Sequence, residues 1–424
     1  MTGAAARASE GFRPSALVPC AAPRARVFHH RMVSPPPLSE GVRRLLARRP
    51  VFDAHCDAIG FATDLGHDLG RACPGQFDLV RGVEGGLGTW VVVCWPDPEH
   101  HLARSFARAS EMIDAAQALA ARHPARFRLV GNGAELARAH AEGVVAGILG
   151  IEGGHALEES LERLEELFAR GLRVLTLVWN NHLSWIRSCH SGAGAGVPEG
   201  LSDFGRQVVR RLNALGIVVD LSHAGERSFF DALEVSTVPV IASHSGCRAL
   251  HDHPRNLTDE QLRALADRDG VVGIVFHPSF LDAEARVEQT RVRALPEFAD
   301  LEERDPAARF LAQQRVMRAR AAPLPAARLV DHVVHAVDVA GIDHVGLGSD
   351  YDGIEQGPEW LEDARGYGVL AELLARRGFG EEELAKVLGG NMERVFARAT
   401  GPGTEAARRP LGTSTVSVSR ASSR

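Results

Sequence analysis

The chain has 424 residues, of which 45% are hydrophobic and 24% are charged, a composition typical of a globular protein with a sizeable core. The formal net charge of −6 leaves no general basic field that would attract nucleic acid or an anionic membrane surface. The six cysteines form no CxxC pair, and no apolar run approaches the ~18 residues of a spanning helix. We therefore expect a cytoplasmic protein that binds neither nucleic acid nor membrane.

The two ends of the chain differ from its centre. Residues 1–31 lack the apolar segment of a secretory signal, and residues 1–41 are predicted to be a disordered leader, with Met32 as an alternative start. Residues 399–424 are rich in Gly, Ser, Thr and Arg and are predicted to be a disordered tail. The region between them, 42–398, is predicted to form a single domain.

Eight short apolar segments recur along this domain, each followed by a helical pattern or by a loop that leads into one. We expect strands at 50–54, 88–95, 144–151, 172–178, 216–221, 238–243, 270–276 and 344–349. Helices are expected at 103–122, 157–170, 201–214, 226–235, 258–268, 326–340, 366–377 and 381–397. Strands that alternate with helices are parallel, so the pattern predicts an α/β fold, a (β/α)8 TIM barrel.

One connection in this pattern is unusually long. Residues 278–325 follow the seventh predicted strand, whereas a βα loop usually has about 2–6 residues. We interpret this segment as a partly helical insertion near the barrel mouth.

Polar side chains follow most of the predicted strands, and in such a barrel the working residues lie at the carboxyl ends of the strands. The groups suited to zinc or a similar divalent ion are His55, Asp57, Glu152, His223 and His244. Residues i and i+2 of a strand point to one face, so His55 and Asp57 can bind the same ion. Because a buried cluster of these groups is costly without a cation, the sequence predicts a metal site.

Five motifs in chain order together resemble the membrane (renal) dipeptidase family, peptidase family M19. They are Val51-Phe52-Asp53-Ala54-His55-Cys56-Asp57, Gly150-Ile151-Glu152-Gly153-Gly154-His155, Asp220-Leu221-Ser222-His223, Ser243-His244-Ser245 with Arg255-Asn256, and Gly346-Leu347-Gly348-Ser349-Asp350-Tyr351-Asp352-Gly353. The resemblance spans roughly residues 42–398. It implies a barrel of the metal-dependent hydrolase type within the amidohydrolase superfamily.

The resemblance also implies two zinc ions bridged by Glu152. Their ligands would be His55, Asp57 and Glu152 on one ion and Glu152, His223 and His244 on the other. It further implies that Asp350 is the proton shuttle and that Arg255 binds the C-terminal carboxylate of the substrate. Superfamily members that bridge their metals with a carboxylated lysine need it at a strand end, whereas the only lysine here, Lys386, lies near the C-terminal end.

Two positions depart from the family pattern, and both concern substrate binding. The animal members have a histidine that contacts the scissile carbonyl after the fourth strand, where this chain has Trp179. His182, three residues later, could take over that role or be an ordinary loop histidine. After the seventh strand, His277 stands in place of the family's tyrosine near the substrate carboxylate.

The function expected from this resemblance is a binuclear zinc dipeptidase that hydrolyses the amide bond by attack of a metal-bridging hydroxide. The expected partner is a small dipeptide substrate, and a homodimer is left open. Two alternatives remain at this point. The first is an amidohydrolase that acts on a lactone, an N-acyl amino acid or a phosphoester, and the second is a catalytically silent metal-binding protein.

Overall fold

The computed structural model describes residues 34–303, 305–409 and 411. Most of the predicted leader, including Met32, and the part of the predicted tail from 412 onward lie outside the described residues. Two boundaries of the sequence prediction are displaced in the described part. The first helix already begins at Glu40, and residues 399–409 belong to the fold, because Glu405–Arg408 is helical and Ala406 is completely buried.

The centre of the protein is a closed barrel of eight parallel strands. The described sheet has nine strands, of which all but β3 form the ring: β1 (Val51–Cys56), β2 (Leu87–Cys94), β3 (Phe127–Leu129), β4 (Val145–Glu152), β5 (Leu172–Thr176), β6 (Val218–Asp220), β7 (Ile241–Ser245), β8 (Val271–Val275) and β9 (Val345–Gly348). Pairing runs β2-β1-β9-β8-β7-β6-β5-β4, and β2 pairs with β4 to close the ring. The predicted (β/α)8 barrel is confirmed, and all eight predicted strands overlap with strands of the barrel.

The short strand β3 was not predicted. It has three residues and pairs only with the first part of β4, whose later part pairs with β5. Strand β3 therefore extends the sheet beside the barrel without being one of the eight strands of the ring.

Helices cover the outside of the barrel. They are α1 (Glu40–Arg48), α2 (Ile59–Asp64), α3 (Leu79–Glu84), α4 (Pro98–His101), α5 (Ser105–Arg122), α6 (Gly133–Ala141), α7 (Leu161–Ala169), α8 (Asp203–Leu215), α9 (Glu226–Val235), α10 (Asp259–Asp267), α11 (Pro278–Leu281), α12 (Ala283–Arg293), α13 (Pro296–Ala299), α14 (Pro306–Arg320), α15 (Ala326–Ala340), α16 (Gly366–Arg377), α17 (Glu381–Ala385), α18 (Asn391–Ala399) and α19 (Glu405–Arg408). The helix predicted at 381–397 is divided into α17 and α18 by a π-helical turn at Lys386–Gly390.

The barrel interior is filled by alternate residues of the strands. This cluster includes Val91 and Val93 of β2 and Ala146 and Ile148 of β4, together with Phe396 from α18. Because side chains alternate across a strand, the same inward face of β4 ends in the last residue of that strand, Glu152. The apolar core thus leads directly to the polar groups at the carboxyl ends of the strands.

The insertion at 278–325 is largely helical and comprises α11 to α14. Residues Ala307 and Leu311 of α14 pack with Phe61 of α2, directly after β1. Arg293 of α12 forms a two-bond ion pair with Glu355, with Nε–Oε1 at 2.8 Å and Nη2–Oε2 at 2.9 Å, in the segment that follows β9. These contacts hold the insertion at the carboxyl end of the barrel.

Candidate metal centre

Five side chains from four strand ends meet at the mouth of the barrel. Glu152 Oε1 lies 2.9 Å from His223 Nε2, 3.3 Å from His244 Nε2 and 3.6 Å from His55 Nε2. His55 Nε2 also lies 3.6 Å from Asp57 Oδ2. The ligand atoms form two groups, His55 with Asp57 and Glu152, and Glu152 with His223 and His244, each with its atoms within 4.8 Å of one another.

The unpaired atoms of this cluster fit a divalent cation. His55 Nε2 and both carboxylate oxygens of Asp57 are buried and have no hydrogen-bond partner in the described chain. Buried polar atoms are normally paired, so three unpaired ligand atoms that converge on one point need a binding partner. Imidazole nitrogens and carboxylate oxygens in sets of three are typical protein ligands of zinc.

The electrostatics of the cluster also favour a cation. Burial and the neighbouring carboxylates raise the pKa of Asp57 and Glu152 well above the usual range of such groups. Burial, with a smaller effect of Arg255, lowers the pKa of His55 to about 3, so its ring is neutral and able to donate a lone pair. A divalent ion would stabilise both carboxylates in their charged form.

Asp220 comes close to the cluster but has another role. It forms a third group of ligand-type atoms with His55 and His244. However, its Oδ1 accepts hydrogen bonds from the backbone N–H groups of Ser222 and Ser243, at 3.0 and 2.8 Å. Its Oδ2 accepts from the hydroxyls of Thr176 and Ser243, at 2.5 and 2.7 Å. Four hydrogen bonds use the acceptor capacity of this carboxylate, so Asp220 is not a metal ligand. It instead holds Ser243 and the neighbouring strand ends in place.

Ser243 orients two of the imidazoles at once. Its hydroxyl donates to Asp220, and its Oγ lies 3.0 Å from His55 Nδ1 and 2.8 Å from His244 Nδ1. A hydroxyl has one proton and two lone pairs, so the two Nδ1–H groups must donate to it. Both rings are then held in the tautomer whose Nε2 lone pair points into the cluster.

Asn180 orients the third imidazole. Its side-chain Oδ1 lies 2.8 Å from His223 Nδ1 and 2.8 Å from His190 Nε2. An amide oxygen can accept both ring N–H groups, which leaves His223 Nε2 free to face Glu152. The backbone of His223 has a left-handed φ of 67°, a conformation that turns the chain sharply after β6 and brings the ring over the barrel mouth.

Asp350 follows β9 and lies beside the cluster. Its backbone N–H donates to the carbonyl of His55 at 2.9 Å, and its φ is also left-handed, at 62°. A side chain at Gly353 would collide with the carboxylates of Asp350 and Asp57, so the glycine at this position lets both approach. Burial raises the pKa of Asp350 to about 7, against the lowering effect of Arg255.

Arg255 and His277 lie on one side of the site. Arg255 is 3% exposed, donates from Nη2 to the carbonyl of His244 at 2.9 Å, and leaves its Nε without a partner among the described residues. The guanidinium carbon is 5.5 Å from the centre of the Phe280 ring, and His277 stacks on the same ring at 4.3 Å. The structure therefore brings both predicted substrate-binding residues to the same aromatic side chain.

The two candidate substrate-binding residues after β5, Trp179 and His182, have different surroundings. Trp179 packs against Trp95 at 4.9 Å and against the ring of His223 at 6.2 Å, so it forms part of the site wall. His182 instead bonds within its own loop, where its Nδ1 accepts from the backbone N–H of Ser188 at 3.2 Å. It does not line the cavity described next, whereas His190 does.

A cavity of about 340 Å³ opens beside His223 and leads toward the surface. Pockets that bind small molecules typically have volumes of about 300–1,000 Å³, so this cavity is at the lower end of that range. Its lining includes Cys189, His190, Ser245, Arg248 and Arg255, together with Arg187 and the exposed residues Glu199, Glu226 and Arg227. None of the helices in the described part of the chain is long and apolar enough to cross a bilayer.

The closed parallel barrel and its strand-end cluster of imidazoles and carboxylates define a metal-dependent hydrolase. The model of the membrane dipeptidase family, peptidase family M19, matches residues 39–407, and the chain belongs to this family. The resemblance found in the sequence motifs is thus confirmed.

Known proteins similar to this chain agree with the family. An uncharacterised dipeptidase of Schizosaccharomyces pombe is 31% identical over 336 residues, which are 76% of this chain and 73% of the relative. The structure of the probable dipeptidase PvdM from Pseudomonas aeruginosa has a TM-score of 0.72 at 25% identity and covers 84% of this chain and 97% of its own. A metallopeptidase from Rhodobacter sphaeroides, with a phosphinate mimic of the dipeptide L-Ala-D-Ala, has a TM-score of 0.69 at 26% identity and covers 82% and 99%.

Sequence reasoning did not find the residues that support the ligands. Ser243 and Asn180 carry no metal-ligand signal, and His190 reads as an ordinary loop histidine. The useful signal for Ser243 was its place directly before His244 at a strand end. His190 lies beside the cluster because its loop is bound there. The backbone N–H of Cys189 donates to the carbonyl of His223 at 2.7 Å.

Proposed function

We propose that the protein is a dipeptidase that uses two zinc ions bridged by Glu152. The observation that carries this proposal is the position of Glu152 Oε1 within 3.6 Å of three imidazole Nε2 atoms that belong to both ligand groups. One ion would be held by His55, Asp57 and Glu152, and the other by Glu152, His223 and His244. When bound, two such ions supply a hydroxide nucleophile near neutral pH and polarise the substrate carbonyl.

The protein's own residues then have distinct tasks in hydrolysis. Asp350 accepts the proton of the attacking water and delivers it to the leaving amine, since its carboxylate lies beside that of Asp57 at the edge of the cluster. Arg255 binds the C-terminal carboxylate of the substrate, because its Nε is buried and unpaired next to the cluster. Trp179 shapes the wall beside His223 and lacks the imidazole that the animal members carry there.

Several finer assignments belong to the same proposal. All five cysteines in the described part of the chain are free, as expected of a reducing compartment such as the cytoplasm. The sole lysine, Lys386, pairs with Asp343 at 2.7 Å and is therefore engaged away from the ligand groups. The homodimer stays a prediction.

Matched dipeptides with free and amidated C-termini test the proposal. Amidation should cost roughly 2–4 kcal/mol in kcat/KM, because it leaves the buried Arg255 guanidinium without its anion. In Arg255→Ala most of this difference should disappear. Equal hydrolysis of both forms by the wild type would favour a lactone or N-acyl amino acid substrate, and a zinc-loaded protein inactive on all of these would favour a silent metal-binding protein.

A further inference from the structure

Three buried hydrogen-bond donors without a partner in the described chain line the cavity. Ser245 is completely buried and its Oγ has no partner, and the Nε atoms of Arg248 and Arg255 are likewise buried without a partner in the described chain. All three residues line the same cavity beside His223. We call these three residues the arginine pocket.

Hydrogen bonds between two chain segments place the three residues side by side. Arg248 Nη2 donates to the carbonyl of Pro254, the residue before Arg255, at 3.0 Å. Arg255 Nη2 donates to the carbonyl of His244, the residue before Ser245, at 2.9 Å. Each guanidinium is therefore tethered through one nitrogen to the segment that carries another member of the arginine pocket.

The arginine pocket has no ion-pair partner within the described chain, although the charge of Arg255 acts on the nearby carboxylates of Glu152 and Asp350. Neither Arg248 nor Arg255 has a carboxylate within the 4.0 Å of an ion pair in the part of the chain that the structure describes. The acids of the cavity, Glu199 and Glu226, are exposed.

Other arginines of the same cavity are satisfied. Arg187 donates from Nε to the carbonyl of Pro198 at 3.0 Å and from Nη2 to that of Val197 at 3.2 Å. Arg227 is largely exposed, with 67% of its side chain accessible, and pairs with Asp231 at 2.9 Å. The unpaired donors of this cavity thus belong to Ser245, Arg248 and Arg255, and His223 lines the same cavity.

We propose that the arginine pocket binds a second substrate carboxylate, so that the preferred dipeptides end in an acidic residue, Asp or Glu. This inference rests on the proposed dipeptidase function. One carboxylate, the C-terminus, is bound by Arg255, and the side-chain carboxylate accepts hydrogen bonds from Arg248 and Ser245. Two adjacent guanidinium groups with no ion-pair partner among the described residues match a ligand with two negative charges.

The test compares acids with their neutral isosteres on the zinc-loaded full chain. The substrates are Ala-Asp against Ala-Asn and Ala-Glu against Ala-Gln, each with the C-terminal residue in the L and in the D form. The acid should exceed its amide by about 10- to 100-fold in kcat/KM for at least one configuration, because the amide leaves a buried charge unpaired. Comparable rates for acids and amides in all pairs would overturn the proposal.

Two variants assign the preference to the arginine pocket. Arg248→Gln should bring the ratio of acid to amide close to one, and Ser245→Ala should lower it by a smaller factor. Arg227→Gln is the matched control, because it removes an arginine of the same cavity that is already paired with Asp231. An unchanged ratio in Arg248→Gln, or an equal loss in Arg227→Gln, would contradict the assignment.

Binding measurements keep this proposal separate from the dipeptidase proposal. Succinate carries the two carboxylates of a C-terminal aspartate, and succinamate replaces one of them by an amide. In the wild type, calorimetry should show that succinate binds at least tenfold more tightly than succinamate. This difference in affinity should be lost in Arg248→Gln and kept in Arg227→Gln. Equal affinities would overturn the arginine pocket, whereas failure to hydrolyse any dipeptide would overturn only the dipeptidase function.

Discussion

Ser243 offers the sharpest test of how the site is built. Ser243→Ala removes one hydroxyl whose oxygen lies 3.0 Å from His55 Nδ1 and 2.8 Å from His244 Nδ1. Both rings then lose the acceptor that holds them with Nε2 toward Glu152. Loss of such a supporting contact typically weakens metal binding by about 10- to 100-fold, or about 1.4–2.8 kcal/mol. Because His55 and His244 belong to different ligand groups, both zinc affinities should fall.

The assay is a titration of metal-free protein with Zn²⁺ against a competing chelator, analysed for two dissociation constants. Ser349→Ala is a matched control, since the Ser349 hydroxyl also donates to a buried carboxylate, Asp53 Oδ2, at 2.5 Å. It reaches the backbone carbonyl of His55 but no imidazole ring. Ser349→Ala should therefore lose a similar amount of folding free energy, about 1–3 kcal/mol, with zinc affinities within about twofold of wild type.

A second comparison separates the two ions. Among the candidate ligands, Asn180→Ala removes the acceptor of His223 alone, so one zinc affinity should fall and the other should stay near its wild-type value. Wild-type affinity for both ions in Ser243→Ala would refute the tautomer argument. So would an equal loss of zinc affinity in Ser349→Ala, because it would show that any damage to the strand ends has this effect.

Three further predictions concern the ligand bridge, the proton and the loop after β5. Glu152→Gln should lower the metal content, measured by elemental analysis, from about two ions per chain and abolish activity together with it; full metal content in this variant would exclude the bridge. Asp350→Asn should keep its metals but lose about 10² to 10⁴ in kcat, and turnover near wild type would make Asp350 structural. His190→Ala should lower kcat/KM by about tenfold, whereas His182→Ala should stay within about twofold, because only His190 lines the cavity. The reverse order of these two effects would restore His182 as the substitute imidazole.

The sequence was sufficient for the barrel because its strands are apolar runs that end in polar residues, and eight of them alternate with helices. It was insufficient for β3, which is only three residues long and depends on pairing with the start of β4. The five candidate ligands could be named because each follows a strand, and the carboxyl ends of parallel strands meet at one end of a barrel.

The supporting residues could not be predicted in the same way. Ser243 and His55 are 188 positions apart, and nothing local in either segment indicates that the hydroxyl meets the ring. The choice between His182 and His190 depends on how the loop after β5 folds back. Its Ser188 pairs with Ala224 in an antiparallel bridge, and this places His190 beside Asn180. Such contacts arise only from the packed structure.

The hydrogen bonds of Asp53 and Asp220 affect which substitutions the protein can tolerate. Asp53 accepts from the backbone N–H of Ser349 at 2.8 Å and joins β1 to the segment after β9, while Asp220 joins β6 to Thr176 and Ser243 of its two neighbours. These strands of the barrel rim are thus joined by carboxylates that lie within the strand ends themselves. His55 and His244 are oriented from within the barrel by Ser243, whereas His223 also depends on Asn180 in the loop after β5. Substitutions in the other loops above the barrel can therefore change which substrates are bound while the metal ligands stay in place.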